Sequence, residues 1–109
     1  MACNTPSVPI PPPVLAALRF HAAPAPGKVV VQGDPNPNHA SARFYIYNQT
    51  SGDGVITTAA ADGAFTTDAF DGADGDTARI YYDTLAGERS QEACVQLQLD
   101  AGLISQRCP

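Results

Sequence analysis

The sequence predicts an all-β chain folded as an antiparallel β-sandwich of about seven strands, and three observations carry that reading. From Gly27 onward apolar and polar residues alternate with a period close to two. Turn residues recur about every 8 to 12 positions, and no segment holds a helical period. With 109 residues the chain suits one domain with a single modest core. Charged residues make up only 16%, Trp is absent, and Gly and Pro are plentiful, a profile of turns and extended chain.

The elements follow in order. Pro6, Pro9, Pro11, Pro12 and Pro13 remove amide donors and favour polyproline II, so residues 1–13 read as a semi-rigid tether and residues 14–109 as the single domain. "VLAALRF", Val14 to Phe20, is too short for a stable helix between Pro13 and the "APAP" that follows, and is assigned as a first strand. "KVVVQG" is a β-branched strand ended by Gly33, and "DPNPN" is a loop that cannot join a ladder. "ARFYIYN" alternates, with Phe44 and Ile46 on one face and Arg43, Tyr45 and Tyr47 on the other. "QTSGDG" turns the chain into "VITTAA", and Asp62-Gly63 turns it again into "AFTTDAF". "TARIYYD" sets Ala78, Ile80 and Tyr82 against Arg79 and Tyr81. In "CVQLQLD" Val95, Leu97 and Leu99 oppose Cys94, Gln96 and Gln98, the pattern of a half-buried strand.

The order of these features from Ala42 to Leu99 resembles the bacterial immunoglobulin-like and carboxypeptidase-regulatory-like modules of secreted proteins. The residues that carry the likeness are the "TTAAADGAF" hairpin, the Gly75-Asp76 corner before "TARIYYD", and the turn from Gly87 to Ser90 into the last strand. The resemblance implies an immunoglobulin-like (Greek-key) sandwich serving as a stalk, spacer or adhesive domain. Departures are the two C-terminal cysteines and the tail after Leu99.

Cys94 and Cys108 bracket a strand, a turn and a returning chain, so a disulfide can close the tail onto the sheet; two separate thiols are the alternative. Such a bridge contributes on the order of 3 kcal/mol and places the protein in an oxidising compartment. Cys3 is left over. Ahead of "NTPSVPIPPPV" it resembles the lipid-anchor cysteine at the mature start of a bacterial lipoprotein, with Met1 and Ala2 standing where a signal peptide would end. Asn4 in place of Asp then implies the outer membrane. An exposed thiol, or a bond to a partner, is the alternative for Cys3.

The acidic stretch "DGADGD" supplies Asp71, Asp74 and Asp76, with Asp68 or Asp83 nearby, as oxygens for calcium. The alternate-position aspartates and late Glu of an EF-hand are absent, and the corner is read as turn chemistry, in which Gly tolerates positive φ and Asp caps amides. His21 and His39 have no acidic or nucleophilic partner at a meaningful spacing and are expected as solvated loop residues. The Tyr-Arg-Gly-Ser ending of transthyretin-like hydrolases, which share this architecture, is missing, so the chain is read as non-enzymatic, with no cofactor. The "NQT" sequon at Asn48 has meaning only in a eukaryotic secretory host.

A net charge of -5 without a Lys/Arg cluster argues against nucleic acid and anionic membrane surfaces. Arg43, Tyr45 and Tyr47 on one strand and Arg79 and Tyr81 on another form an aromatic, cationic patch if the strands are neighbours. The alternative is an ordinary sheet face covered by cross-strand pairing. The expected function is an exported interaction or assembly module of the bacterial envelope, at the periplasm, outer membrane or cell surface. It would meet a protein partner, and the membrane only through an N-terminal lipid. A small carbohydrate-binding module using the tyrosines and a calcium-stabilised adhesion module are the alternatives.

Overall fold

The computed structural model describes residues 10–99 and is all-β apart from two single turns of 3-10 helix. Eight strands run in chain order: β1 (Leu18–Ala22), β2 (Lys28–Gly33), β3 (Arg43–Asn48), β4 (Asp53–Thr58), β5 (Phe65–Thr66), β6 (Phe70–Asp71), β7 (Thr77–Asp83) and β8 (Ala93–Gln96). They form two antiparallel sheets. One has the order β1-β2-β5 with β6 also paired to β2, and the other has the order β4-β3-β7-β8. The period-two alternation sends Leu18, Phe20, Val29, Val31, Phe65 and Phe70 from the first sheet into one core with Phe44, Ile46, Ile80, Tyr82, Val95 and Leu97 from the second. Phe44 and Phe65 stack across the two layers, their centroids 4.5 Å apart.

The strands read from "KVVVQG", "ARFYIYN" and "TARIYYD" are present with the expected inward faces, whereas "CVQLQLD" is strand only as far as Gln96, with Val95 and Leu97 buried and Leu99 partly so. The count rises from about seven to eight because "AFTTDAF" is broken. β5 pairs with Gln32 and Gly33, β6 pairs with Lys28 and Val29, and Thr67 bridges the gap from a side chain. Its amide donates to the Val31 carbonyl (3.0 Å) and its hydroxyl accepts from the Val31 amide (3.0 Å), so the ladder loses no bond where the strand bends away.

The N-terminal assignments shift. "VLAALRF" is not a strand throughout: Leu15–Ala17 form a 3-10 turn, and β1 starts at Leu18, where Gly33 becomes available as a ladder partner. The last four residues of the expected tether lie on the sandwich. Ile10 bridges Ser90 in parallel, its carbonyl accepting from the Gln91 amide at 2.9 Å, while Pro13 is buried and the Tyr82 hydroxyl donates to the Pro11 carbonyl at 3.2 Å. Residues 1–9 and 100–109, with Cys3 and Cys108, lie outside the described residues.

The two histidines are not solvated loop residues. His21 is half-buried within β1, opposite Val30. His39 ends the second 3-10 turn, Pro37–His39, which Asn36 caps by accepting from the Asn38 amide, and its ring is fully buried between Phe44 and Tyr82. Proline-rich surroundings signal a loop, and this loop folds back over the core.

At the far end of β3 a second buried polar side chain fixes the register. The Asn48 amide oxygen accepts from the Thr50 and Ser51 amides at 3.0 and 3.1 Å, and its nitrogen donates to the Asp71 carbonyl at 3.2 Å and to an Asp76 carboxylate oxygen at 2.8 Å. All four of its bonding positions are used. A glycan on this sequon asparagine is incompatible with that burial. Replacing Asn48 by Ala is expected to cost about 3 kcal/mol in urea denaturation, because buried partners lose their bonds. Asn48→Asp is expected to cost more at neutral pH, since a second carboxylate would then face Asp76; an Asp variant as stable as wild type would refute the assigned role.

Candidate functional site

The outer face of the β4-β3-β7-β8 sheet carries the aromatic residues. Register sets Tyr45 between Ile56 on β4 and Tyr81 on β7, and sets Tyr47 between Gly54 and Arg79. The expected neighbourhood of these two strands is therefore realised. The Tyr45 and Tyr81 rings stack with centroids 4.8 Å apart and planes 16° from parallel. Over them lies Arg89, from the turn after β7, its guanidinium 4.7 Å from the Tyr81 centroid and 5.2 Å from that of Tyr45.

Arg89 is held in place by Asp83. Two guanidinium nitrogens donate to the two carboxylate oxygens at 2.9 and 3.2 Å, and the Tyr45 hydroxyl donates to the same carboxylate at 3.0 Å. The Arg89 bonds, then that of Tyr45, hold the Asp83 carboxyl below its ordinary value, and Asp83 in turn raises the Arg89 pKa. The pair thus behaves as the cross-strand covering that was the plainer alternative for these tyrosines. It also makes a rigid wall.

Beside that wall runs a shallow groove of about 740 Å³ lined by Tyr45, Tyr47, Gly54, Ile56, Arg79, Tyr81 and Glu92. A Cβ at Gly54 would fall 2.7 Å from the Ile46 carbonyl oxygen and 3.4 Å from the Tyr47 ring, so glycine leaves the floor on which that ring lies. Tyr47 and Ile56 remain 48% and 62% exposed, which makes them the apolar surface available to a ligand. Arg79 is anchored at the rim, donating to Gln49 at 2.6 Å and to Glu92 at 2.8 Å.

Of the five residues expected in the patch, Tyr45, Tyr47, Arg79 and Tyr81 meet at this groove. Arg43 does not; it lines a separate, smaller depression with Thr84 and Leu85. Ile56, Asp83, Glu92 and Arg89 were not anticipated in the patch. Alternation in "VITT" could have placed Ile56 on the outer face, whereas Arg89 reaches the tyrosines from a turn and leaves no periodic signal.

The acidic corner directs its carboxylates to separate partners. Asp71 pairs with Lys28 at 2.5 Å, Asp74 accepts from the Leu99 amide at 2.9 Å, and Asp76 accepts from Asn48 and from the Ala73 amide, with Gly75 between them at a φ of +90°. Asp68 is exposed, and Asp83 belongs to the Arg89 clamp. Among the described residues no group of three His, Cys, Asp or Glu is arranged to hold a metal ion. Cys94 lies half-buried on the outer face of β8, opposite Arg79.

No family model matches the chain, and no curated protein or solved structure matches it significantly. No described helix is long and apolar enough to cross a membrane.

Because the folded Asp83 carboxyl lies below its ordinary 3.8, the clamp is at full strength above about pH 4 and weakens as pH falls through the lower native value. The chain has 4 Tyr and no Trp, so the tyrosine band of the near-UV circular dichroism reports the packing of these rings. Asp83→Asn is expected to reduce that signal at neutral pH and to remove its acid-dependent loss. An unchanged spectrum in the variant would show that the clamp does not order the rings.

Proposed function

We propose that the chain is a non-catalytic, exported interaction module of the bacterial envelope that binds a protein partner through the groove on the β4-β3-β7-β8 sheet. The observation that carries this reading is the pairing of a preorganised wall with exposed apolar side chains. Tyr45, Tyr81, Arg89 and Asp83 are mutually fixed, while Tyr47 and Ile56 are left to solvent. Tyr and Arg at a rigid centre are what protein interfaces concentrate, because little side-chain entropy is lost on binding. A sugar would need a free aromatic face, and two of the three tyrosines here spend theirs on each other.

The strand orders support an immunoglobulin-like arrangement, since the chain crosses between layers after each pair of strands, with β1-β2 and β5-β6 in one sheet and β3-β4 and β7-β8 in the other. We assign a disulfide between Cys94 and Cys108, which would require an oxidising, exported setting, and Cys3 as a lipid anchor. The reading as non-catalytic is supported by His39, whose Nε2 is spent on a backbone amide.

Two measurements test this. Retention of an envelope protein by the immobilised chain is expected to weaken about 30-fold or more for Tyr47→Ala and Ile56→Asp, with melting temperatures within a few degrees of wild type. Binding indifferent to both changes would reject the groove, and glycan-array binding lost in Tyr47→Ala would replace the protein partner by a carbohydrate. Thiol alkylation before reduction is expected to modify Cys3 at most and to spare Cys94 and Cys108. Modification of all three would remove the export reading.

A further inference from the structure

The N-terminal strap, residues 10–17, is fastened to the sandwich at four places: Ile10 against Ser90 and Gln91, Pro11 under the Tyr82 hydroxyl, Val14 on His39, and the Ala17 carbonyl on the Asp34 amide at 2.7 Å. The third fastening differs from the others because its acceptor can be protonated. His39 Nε2 accepts the Val14 amide at 3.1 Å, which requires the neutral ring with its proton on Nδ1. That Nδ1 is buried and has no hydrogen-bond partner among the described residues.

We propose that His39 is a proton-operated latch: the neutral imidazole holds the strap closed, and protonation releases residues 10–17 while the two sheets remain intact. A proton added at Nε2 turns the acceptor into a donor aimed at the Val14 N–H, so the bond is replaced by a repulsion. The cation would then sit edge-on to Phe44 (4.9 Å) and Tyr82 (5.3 Å) with no carboxylate among the described residues to balance it. Around the ring the strap contributes an amide, β3 contributes Phe44 and β7 contributes Tyr82. Among these described neighbours only the Tyr82 phenol titrates, and burial raises its pKa and keeps it neutral.

Lifting the strap is the cheapest way to bring water to the ring. Pro11, Pro12 and Ala16 are already exposed, so release uncovers Pro13 and Ala17 and lifts Ile10 and Leu15 from the core edge, whereas Phe44 and Tyr82 belong to strands paired on both sides. Burial lowers the His39 pKa below its ordinary 6.5, with no charged neighbour contributing. Closure is therefore fully favoured above about pH 6.5 and is lost as pH falls toward the lower native value. Eight residues released as extended chain add about 25 Å of reach to whatever precedes Ile10. The latch does not depend on the proposed binding groove.

The test is amide exchange of the full chain by NMR between about pH 7.5 and pH 5, corrected for intrinsic rates, with the His39 imidazole titration followed in the same samples. Val14 and Gln91 are expected to lose about tenfold or more of their protection as His39 protonates, while Ile46 and Ile80 keep theirs. His39→Gln, which retains an acceptor that does not titrate, is expected to abolish the pH dependence. Protection of Val14 and Gln91 that persists through the His39 transition would overturn the latch. So would parallel loss at Ile46 and Ile80, or a pH response surviving in His39→Gln. If that variant does not fold, the wild-type contrast between strap and core amides decides.

Discussion

The buried amide of Asn48 is the constraint on which the arrangement of strands rests. It stands at the end of β3 in one sheet, yet it bonds the Asp71 carbonyl of β6 in the other and the Asp76 carboxylate at the entrance to β7. The surrounding groups extend the same tie. Ser51 donates to the Asp71 carbonyl, Asp53 accepts from the Asp71 amide, and Thr50 accepts from the Thr77 amide. A polar group buried this way costs free energy unless every bond is made, and here the four bonds can be made only in one alignment of the two sheets. The hub therefore selects the alignment as well as stabilising it.

That selection reaches the outer face. In a strand the side chains alternate, so a slip of one residue between β3 and β7 would bury Tyr45 and expose Ile46. With Asn48 fixed opposite Ala78, Tyr45 must fall opposite Tyr81 and Tyr47 opposite Arg79. The stacked tyrosines, the Asp83 carboxylate below them and the Arg89 guanidinium above are consequences of that register. None of the four could be shifted along the sheet without losing the other three.

The sequence announces the parts of this structure that depend on period and leaves out those that depend on distant partners. β3, β7 and β8 are legible because each has one face in the core and one outside, a condition that writes alternation directly into the chain. The break between β5 and β6 is not, because Thr67 replaces a ladder bond with a hydroxyl and no composition rule signals it. The aspartates near Gly75 are readable as turn formers, whereas the amide each one caps is set by chain segments more than twenty residues away in two of the cases. His39 misleads for a related reason. Its neighbours are polar and proline-rich, and only the closure of the loop over Phe44 and Tyr82 makes it a core residue.

β3 thus runs between two buried polar groups of opposite character. Asn48 at one end has every bond made and admits no alternative, while His39 at the other has one nitrogen bonded and one without a partner. A fully satisfied network rigidifies, and a half-satisfied one lies near a second arrangement whose cost is set by what its weakest neighbour gives up. That neighbour is the strap, which leaves the ladders of both sheets untouched when it moves. The groove lies between these extremes, on the rigid ladder but close to the mobile attachment: Gln91, whose amide holds Ile10, directly precedes Glu92, whose carboxylate anchors Arg79 at the groove rim. Ordering of the face and fastening of the N-terminal segment consequently meet at two adjacent residues of one turn.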